Sequence, residues 1–173
     1  SSTRQELPIQ CDVTNLIIGN NAVAVDAAGQ EAESRGYSHA MVAAQTLEGE
    51  AEDIGKHLAR MARTMRDTSG PTCLITGGEP TVTLIDVAQR GLGGRNQHLV
   101  LAAQLELTLQ ANERGKDNPL QGIAILAGGT DGEDGPTDAA GAFVDQEIAR
   151  LASCHKLPTE DFLRRNDAYH FFQ

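Results

Sequence analysis

Gly93-Gly94-Arg95-Asn96-Gln97 brings two glycines, a guanidinium and a capping amide to the start of a helical pattern. Backbone N–H groups, the helix dipole and the Arg95 charge would converge there on one point, which is the chemistry of a carboxylate or phosphate site. The same residues also make a tight turn and a cap with Arg95 solvated. A second stretch, Gly128 to Asp138, packs four glycines and three aspartates into eleven residues. Asp131 lies between Gly129-Thr130 and Gly132, directly after a strand pattern. Its carboxylate could orient a hydroxyl, act as a base or approach Mg²⁺. Glu133 and Asp134 follow as further candidates, while Asp138 reads as a helix cap. In the third stretch, Gly77-Gly78-Glu79-Pro80, Glu79 could hydrogen-bond a polyol, pair with Arg95, or serve as a polar turn residue. The expected catalytic residues are Arg95 and Asp131, with Asp131 the candidate for Mg²⁺. Gly77, Gly78, Glu79, Gly93, Gly94, Asn96, Gly129, Thr130, Gly132 and Asp134 are the expected substrate- or phosphate-binding residues. His98, one turn into its helix, reads as a surface residue, and Asn20 and Asn21 read as caps.

Other chemistries lack their signatures. There is no G-x-x-x-x-G-K-S/T phosphate loop, no G-x-S-x-G elbow and no H-E-x-x-H. Gly91-x-Gly93 lacks the third glycine of a dinucleotide fingerprint. The acidic run from Asp131 to Asp138 does not fit an EF-hand loop.

The chain has 173 residues, a length that suits one ordinary domain with a sizeable core. A net charge of −10 argues against a nucleic-acid surface, but 14 Lys and Arg leave room for a local anion site. Aromatics are 3% with no Trp, so the core must be aliphatic and rich in alanine. Three well-separated cysteines without C-x-x-C spacing point to a reduced compartment, the cytoplasm, with the mitochondrion left open. No apolar run is long enough for a membrane span, and no signal-peptide pattern is present.

These loops must hang on regular elements. Residues 1–12 read as an incoming linker, and Ser1 in a polar leader suggests a piece of something longer. Residues 13–173 read as one α/β domain. Val13–Ile18 is a strand, Ala22–Arg35 a helix closed by Gly36, and Tyr37–Ala44 a second strand. Thr46 is the expected cap of a long helix with Ala51, Ile54, Leu58, Met61 and Met65 as its buried stripe and Glu48, Glu50 and Glu52 near its positive end. Thr72–Thr76 is a third strand and Thr81–Val87 a fourth, joined by an irregular hairpin-like turn. Asn96 caps the helix to about Asn112, buried through Leu99, Ala102, Ala103 and Leu107 or through Leu101, Leu105 and Leu109. Ile123–Ala127 is a buried strand. The glycine-rich loop after it leads into a helix over Phe143–Cys154, capped by Thr137 or Asp138, with Ala140, Val144, Ile148 and Leu151 as its stripe. Pro158 opens a last short helix. The expected architecture is an α/β three-layer sandwich, with a mostly parallel or mixed sheet and helices on both faces.

Leu74-Ile75-Thr76-Gly77-Gly78-Glu79-Pro80-Thr81-Val82, Gly93-Gly94-Arg95-Asn96-Gln97, and Gly129-Thr130-Asp131-Gly132 with Asp134-Gly135-Pro136-Thr137-Asp138-Ala139-Ala140-Gly141 resemble the MOFRL domain, the C-terminal part of one type of glycerate kinase. Ile18-Gly19-Asn20-Asn21, Leu47-Glu48-Gly49-Glu50-Ala51 and Arg165-Asn166-Asp167-Ala168-Tyr169 are similar to other segments of that protein. The resemblance covers nearly the whole chain, with the motifs in order. It implies ATP and Mg²⁺ as cofactors, glycerate as substrate, and a cleft shared with an N-terminal kinase domain not contained in this sequence. Arg95 would bind the acid or the phosphates, and the chain would not turn over alone. Neither nucleic acid nor membrane is an expected partner; a homodimer is left open. The chain departs from the family pattern at His98, where glutamate is expected, and over Asp86–Leu92. The alternative reading is a non-catalytic module that binds a small anion, with or without a regulatory role.

Overall fold

A computed structural model of the chain describes residues 14, 20–43, 49–113 and 119–173. The first helix, α1 (Asn21–Ser34), starts where Asn20 accepts a hydrogen bond from Val23 N–H, as its capping residue type suggests. Strand β1 (His39–Ala43) pairs in parallel with β2 (Cys73–Gly77), with His39 opposite Cys73 and Ala43 opposite Gly77. Helix α2 (Ala51–Asp67) is the crossover between them. The strand expected over Val13–Ile18, together with Thr46 and Glu48, lies outside the described residues.

Glu50, not Thr46, holds the N-cap position of α2, and its side chain makes no capping bond. Its carboxylate accepts instead from Thr83 N–H, Thr83 Oγ and Thr81 Oγ. Those bonds, led by the one from the Thr83 backbone, hold the Glu50 carboxyl below its ordinary range. They also account for the missing fourth strand. Residues 82–86 are irregular, and the segment contributes only a bridge between Glu50 and Thr81. Side chains from elsewhere satisfy the polar groups that a partner strand would have taken.

Helix α3 (Arg95–Glu113) is the core element. The first stripe read in its sequence is buried; of the second, Leu101 is buried, Leu105 is half-buried and Leu109 is exposed, so the helix packs on two sides only over its first half. Leu99, Val100, Ala103 and Leu107 face α2 and the next strands, Leu101 faces the C-terminal helices, and Ala102 lies between them, packed on the C-terminal helices and next to Gly55 of α2. Leu101 and Leu107 are almost inaccessible, and burying each contributes about 2 kcal/mol. Helix α2 crosses α3 at Gly55, where an added Cβ would lie 2.3 Å from the Leu99 carbonyl oxygen. The buried stripe of α2 is therefore Ala51, Gly55 and Ala59, flanked by Ile54 and Leu58. Met61 and Met65, expected in the core, are only half-buried and line a surface groove with His57.

Strand β3 (Ile125–Gly128) pairs antiparallel with β4 (Gly141–Val144). The glycine-rich loop thus joins two strands rather than leading into a helix. Val144 lies in β4 and packs inward opposite Ile125; its four-residue spacing from Ile148 imitates a helical stripe. Helix α4 (Gln146–Cys154) begins later, capped by Asp145, which accepts from Glu147 and Ile148 N–H. Asp138 accepts the Tyr169 hydroxyl instead of capping. Helices α5 (Thr159–Arg164), opening after Pro158 as expected, and α6 (Ala168–Phe172) close the molecule against α3. The class is α/β, with one parallel and one antiparallel strand pair among the described residues. None of the helices described is long and apolar enough to cross a membrane.

Candidate functional site

The α3 N-terminus, expected to attract an external anion, is occupied by an internal one. Asp134 comes from the β3–β4 loop and is 2% exposed. Its Oδ1 accepts from Asn96 N–H (2.9 Å) and Asn96 Nδ2, and its Oδ2 accepts from Gln97 N–H (2.8 Å). A carboxylate at the first turn of a helix satisfies orphan donors and complements the dipole. Asn96, the expected cap, therefore lies inside the helix as a donor to the residue that caps it. The contact requires two glycines. A Cβ on Gly94 would fall 2.3 Å from the Asp134 carboxyl carbon, and Gly135, at φ +63°, would meet the Gly93 carbonyl oxygen at 2.6 Å. A second tie runs from Gln97 Nε2 to Thr137 Oγ, which donates to the Asp134 carbonyl.

This clamp sets two of the expected loops against each other across a cleft of about 470 Å³. Gly93, Gly94, Arg95, Asp131 and Asp134 line it, as do Glu133 and His98. Of the third loop only Pro80 reaches the cleft; Gly77, Gly78 and Glu79 do not line it, and no ion pair joins Glu79 to Arg95. Asn96, Gly129, Thr130 and Gly132 do not line it. Arg95 is exposed, and its guanidinium forms no ion pair among the described residues. Asp131 is exposed and turns one oxygen to Glu133 N–H, which aims the loop without covering the carboxylate.

Several cleft residues carried no recognisable signal in the sequence. His98, read as a surface residue, is 6% exposed. Burial pushes its imidazole below the ordinary range, and the Glu52 and Glu50 carboxylates only partly offset this. Val82 and Leu84 give the cleft an apolar wall. Asn166, at φ +52°, accepts from Ile85 N–H and donates to the Thr83 carbonyl, pinning that wall. Next to it, Asp167 accepts from Leu92 N–H, and Tyr169 N–H donates to the Leu92 carbonyl. The clue was Arg165-Asn166-Asp167-Ala168-Tyr169, quoted above for resemblance but given no structural task.

Among the described residues no group of three or more His, Cys, Asp or Glu side chains could hold a metal by itself. Asp131 and Glu133 are the two exposed carboxylates on the cleft wall.

The chain is 34% identical to the glycerate kinase of Homo sapiens and 33% identical to the D-glycerate 2-kinase of Thermotoga maritima, over 92% and 88% of its length. It spans about a third of those relatives, 36% and 34% respectively. Among solved structures, the glycerate kinase of Thermotoga maritima matches with a TM-score of 0.74 at 31% identity, over 90% of this chain and 35% of that one. A protein of Pyrococcus horikoshii OT3 matches with a TM-score of 0.75 at 30% identity, over 97% and 36%. The sequence profile of the MOFRL family covers residues 72–173, which include the loops and helices that line the cleft, and on that match the chain belongs to the MOFRL family.

Proposed function

We propose that this chain is the substrate-binding part of an ATP-dependent glycerate kinase, and that its cleft holds glycerate for phosphorylation against a nucleotide-bearing N-terminal domain. The observation that carries the reading is an exposed Arg95, without an ion pair among the described residues, on a cleft whose nearest helix start is already occupied by Asp134. An incoming carboxylate or phosphate finds no free backbone site at Asn96 and Gln97, so the guanidinium is the group that binds it, in the bidentate geometry that suits either anion. Asp131 faces the same cleft and orients the acceptor hydroxyl. Asp131 and Glu133 are the cleft carboxylates that would hold a Mg²⁺ brought with ATP, which would supply charge neutralisation at the phosphates. Phosphoryl transfer depends chiefly on positioning and charge neutralisation, which this arrangement provides without a covalent intermediate. The likeness to glycerate kinases across most of the chain supports the assignment.

Thermal stabilisation of the chain by glycerate, phosphoglycerate, ATP and Mg²⁺ tests it, with Arg95→Ala alongside. Glycerate or phosphoglycerate is expected to raise Tm in the parent, and Arg95→Ala is expected to abolish the rise while leaving the unliganded Tm within about 2 °C, as suits an exposed side chain. An equal rise in both proteins would remove Arg95 from the site.

A further inference from the structure

We propose that His98 is the proton acceptor for the substrate hydroxyl in this cleft; the proposal rests on the glycerate-kinase reading above. His98 follows Arg95 by three residues on α3, so the two side chains are neighbours on one helix face, about 5–6 Å apart at Cβ. Both line the same cleft. A three-carbon hydroxy acid held by its carboxylate at Arg95 would lie in the cleft that His98 also lines.

The imidazole has no competing task. Among the described residues its ring makes no hydrogen bond, although the residue is 6% exposed. Among the described residues the buried side-chain atoms without a partner are Gln97 Oε1 and Gln104 Oε1, so the unbonded His98 ring nitrogens keep access to solvent, as a proton acceptor must. The Glu52 and Glu50 carboxylates, at the start of α2, act on the ring, and Arg95, Asp131, Glu133 and Asp134 are the charged groups that line the same cleft. Burial outweighs the two glutamates and keeps the ring neutral, the state required of a proton acceptor.

The step balances as follows. The substrate O–H bond breaks and its proton moves to a His98 ring nitrogen. The oxygen forms a bond to the terminal phosphorus of ATP, while the bond from that phosphorus to the bridging oxygen breaks and its electron pair leaves with ADP. His98 returns the proton to solvent as product departs.

The test is a pH–rate profile of glycerate phosphorylation in the full-length protein for wild type, His98→Gln and His98→Glu. In the wild type kcat is expected to fall on acidification as His98 takes up a proton. His98→Gln is expected to lower kcat about 100-fold with KM for glycerate little changed, and to lose that acid limb. His98→Glu retains a proton-accepting side chain, so activity is expected to recover with the acid limb moved to lower pH. A His98→Gln protein with the wild-type kcat and acid limb would overturn the inference alone. Equal loss in both variants, with KM raised, would assign His98 to packing and overturn it as well. A wild-type protein that transfers no phosphoryl group to glycerate would overturn the proposed function, and the inference with it.

Discussion

Asp134 supplies to α3 what a local cap usually supplies, from 38 residues away. Removing it leaves the Asn96 and Gln97 N–H groups unpaired at the base of a tight interloop contact. Asp134→Ala is therefore expected to cost roughly 3 kcal/mol, from a lost cap and unpaired buried donors, and to be read as a lower midpoint in urea unfolding. Asp134→Asn keeps one carbonyl acceptor and is expected to lose about half as much. A neutral Asp134→Ala would mean that water replaces the carboxylate. Asp134 stood among the binding candidates because a glycine-rich acidic loop signals an unusual backbone without revealing what its carboxylates meet. Residue type and loop position marked Arg95 and Asp131 as able to meet a ligand, and both line the cleft. His98 was not, since a lone histidine one turn into a helix gives no sign of which neighbours cover it; that depends on α2 and the β3–β4 loop folding over it.

At the scale of elements, legibility followed length and redundancy. Helices α1, α2 and α3 and strands β1 and β2 lie within a few residues of the positions read from periodicity, because each has several turns or a continuous apolar run to mark it. Strand β4 was hidden because four residues cannot establish a period, and Val144 with Ile148 fits two patterns at once. The 81–87 segment shows β-branched propensity without a partner strand, and Glu50 and Asn166 take its hydrogen-bonding groups. Packing of α2 on α3 gives this scale its own test. Glycine in mid-helix is about 1 kcal/mol worse than alanine by propensity, so Gly55→Ala would stabilise an isolated helix. In the folded chain the added Cβ would strike the Leu99 carbonyl oxygen and come within 3.1 Å of Ala102 Cβ, so the helices must separate. Overpacking of this kind costs about 1–3 kcal/mol. Set against the propensity gain, this leaves Gly55→Ala expected to lower Tm by up to about 8 °C, and a raised Tm would mean that the crossing relaxes freely.

For the molecule as a whole, the last residues of the chain hold the cleft's flanking loops. Asp167 is the centre of that closure, joining Leu92 N–H, His170 and Arg165. Burial alone would push its carboxyl up, but the His170 hydrogen bond, the Leu92 N–H and the nearby His170 and Arg165 charges together hold it below the ordinary 3.8. Below 3.8 the unfolded chain takes up a proton that the folded chain still refuses, so the stabilisation is complete above that value and is lost as pH falls through the lower folded one. Asp167→Asn keeps an acceptor for Leu92 N–H and removes the charge. It is expected to destabilise the protein at pH 6, with the gap to wild type narrowing between pH 4 and pH 3, as measured by urea unfolding at each pH. Because the same carboxylate tethers Leu92, two residues before the Gly94 contact, weakening it is also expected to loosen the Arg95 loop. Glycerate-induced stabilisation should then fall in Asp167→Ala, which loses the Leu92 tether, more than in Asp167→Asn, which retains it. Equal ligand responses in the two variants would separate the C-terminal closure from the cleft and leave the Asp134 clamp as the contact that sets Arg95.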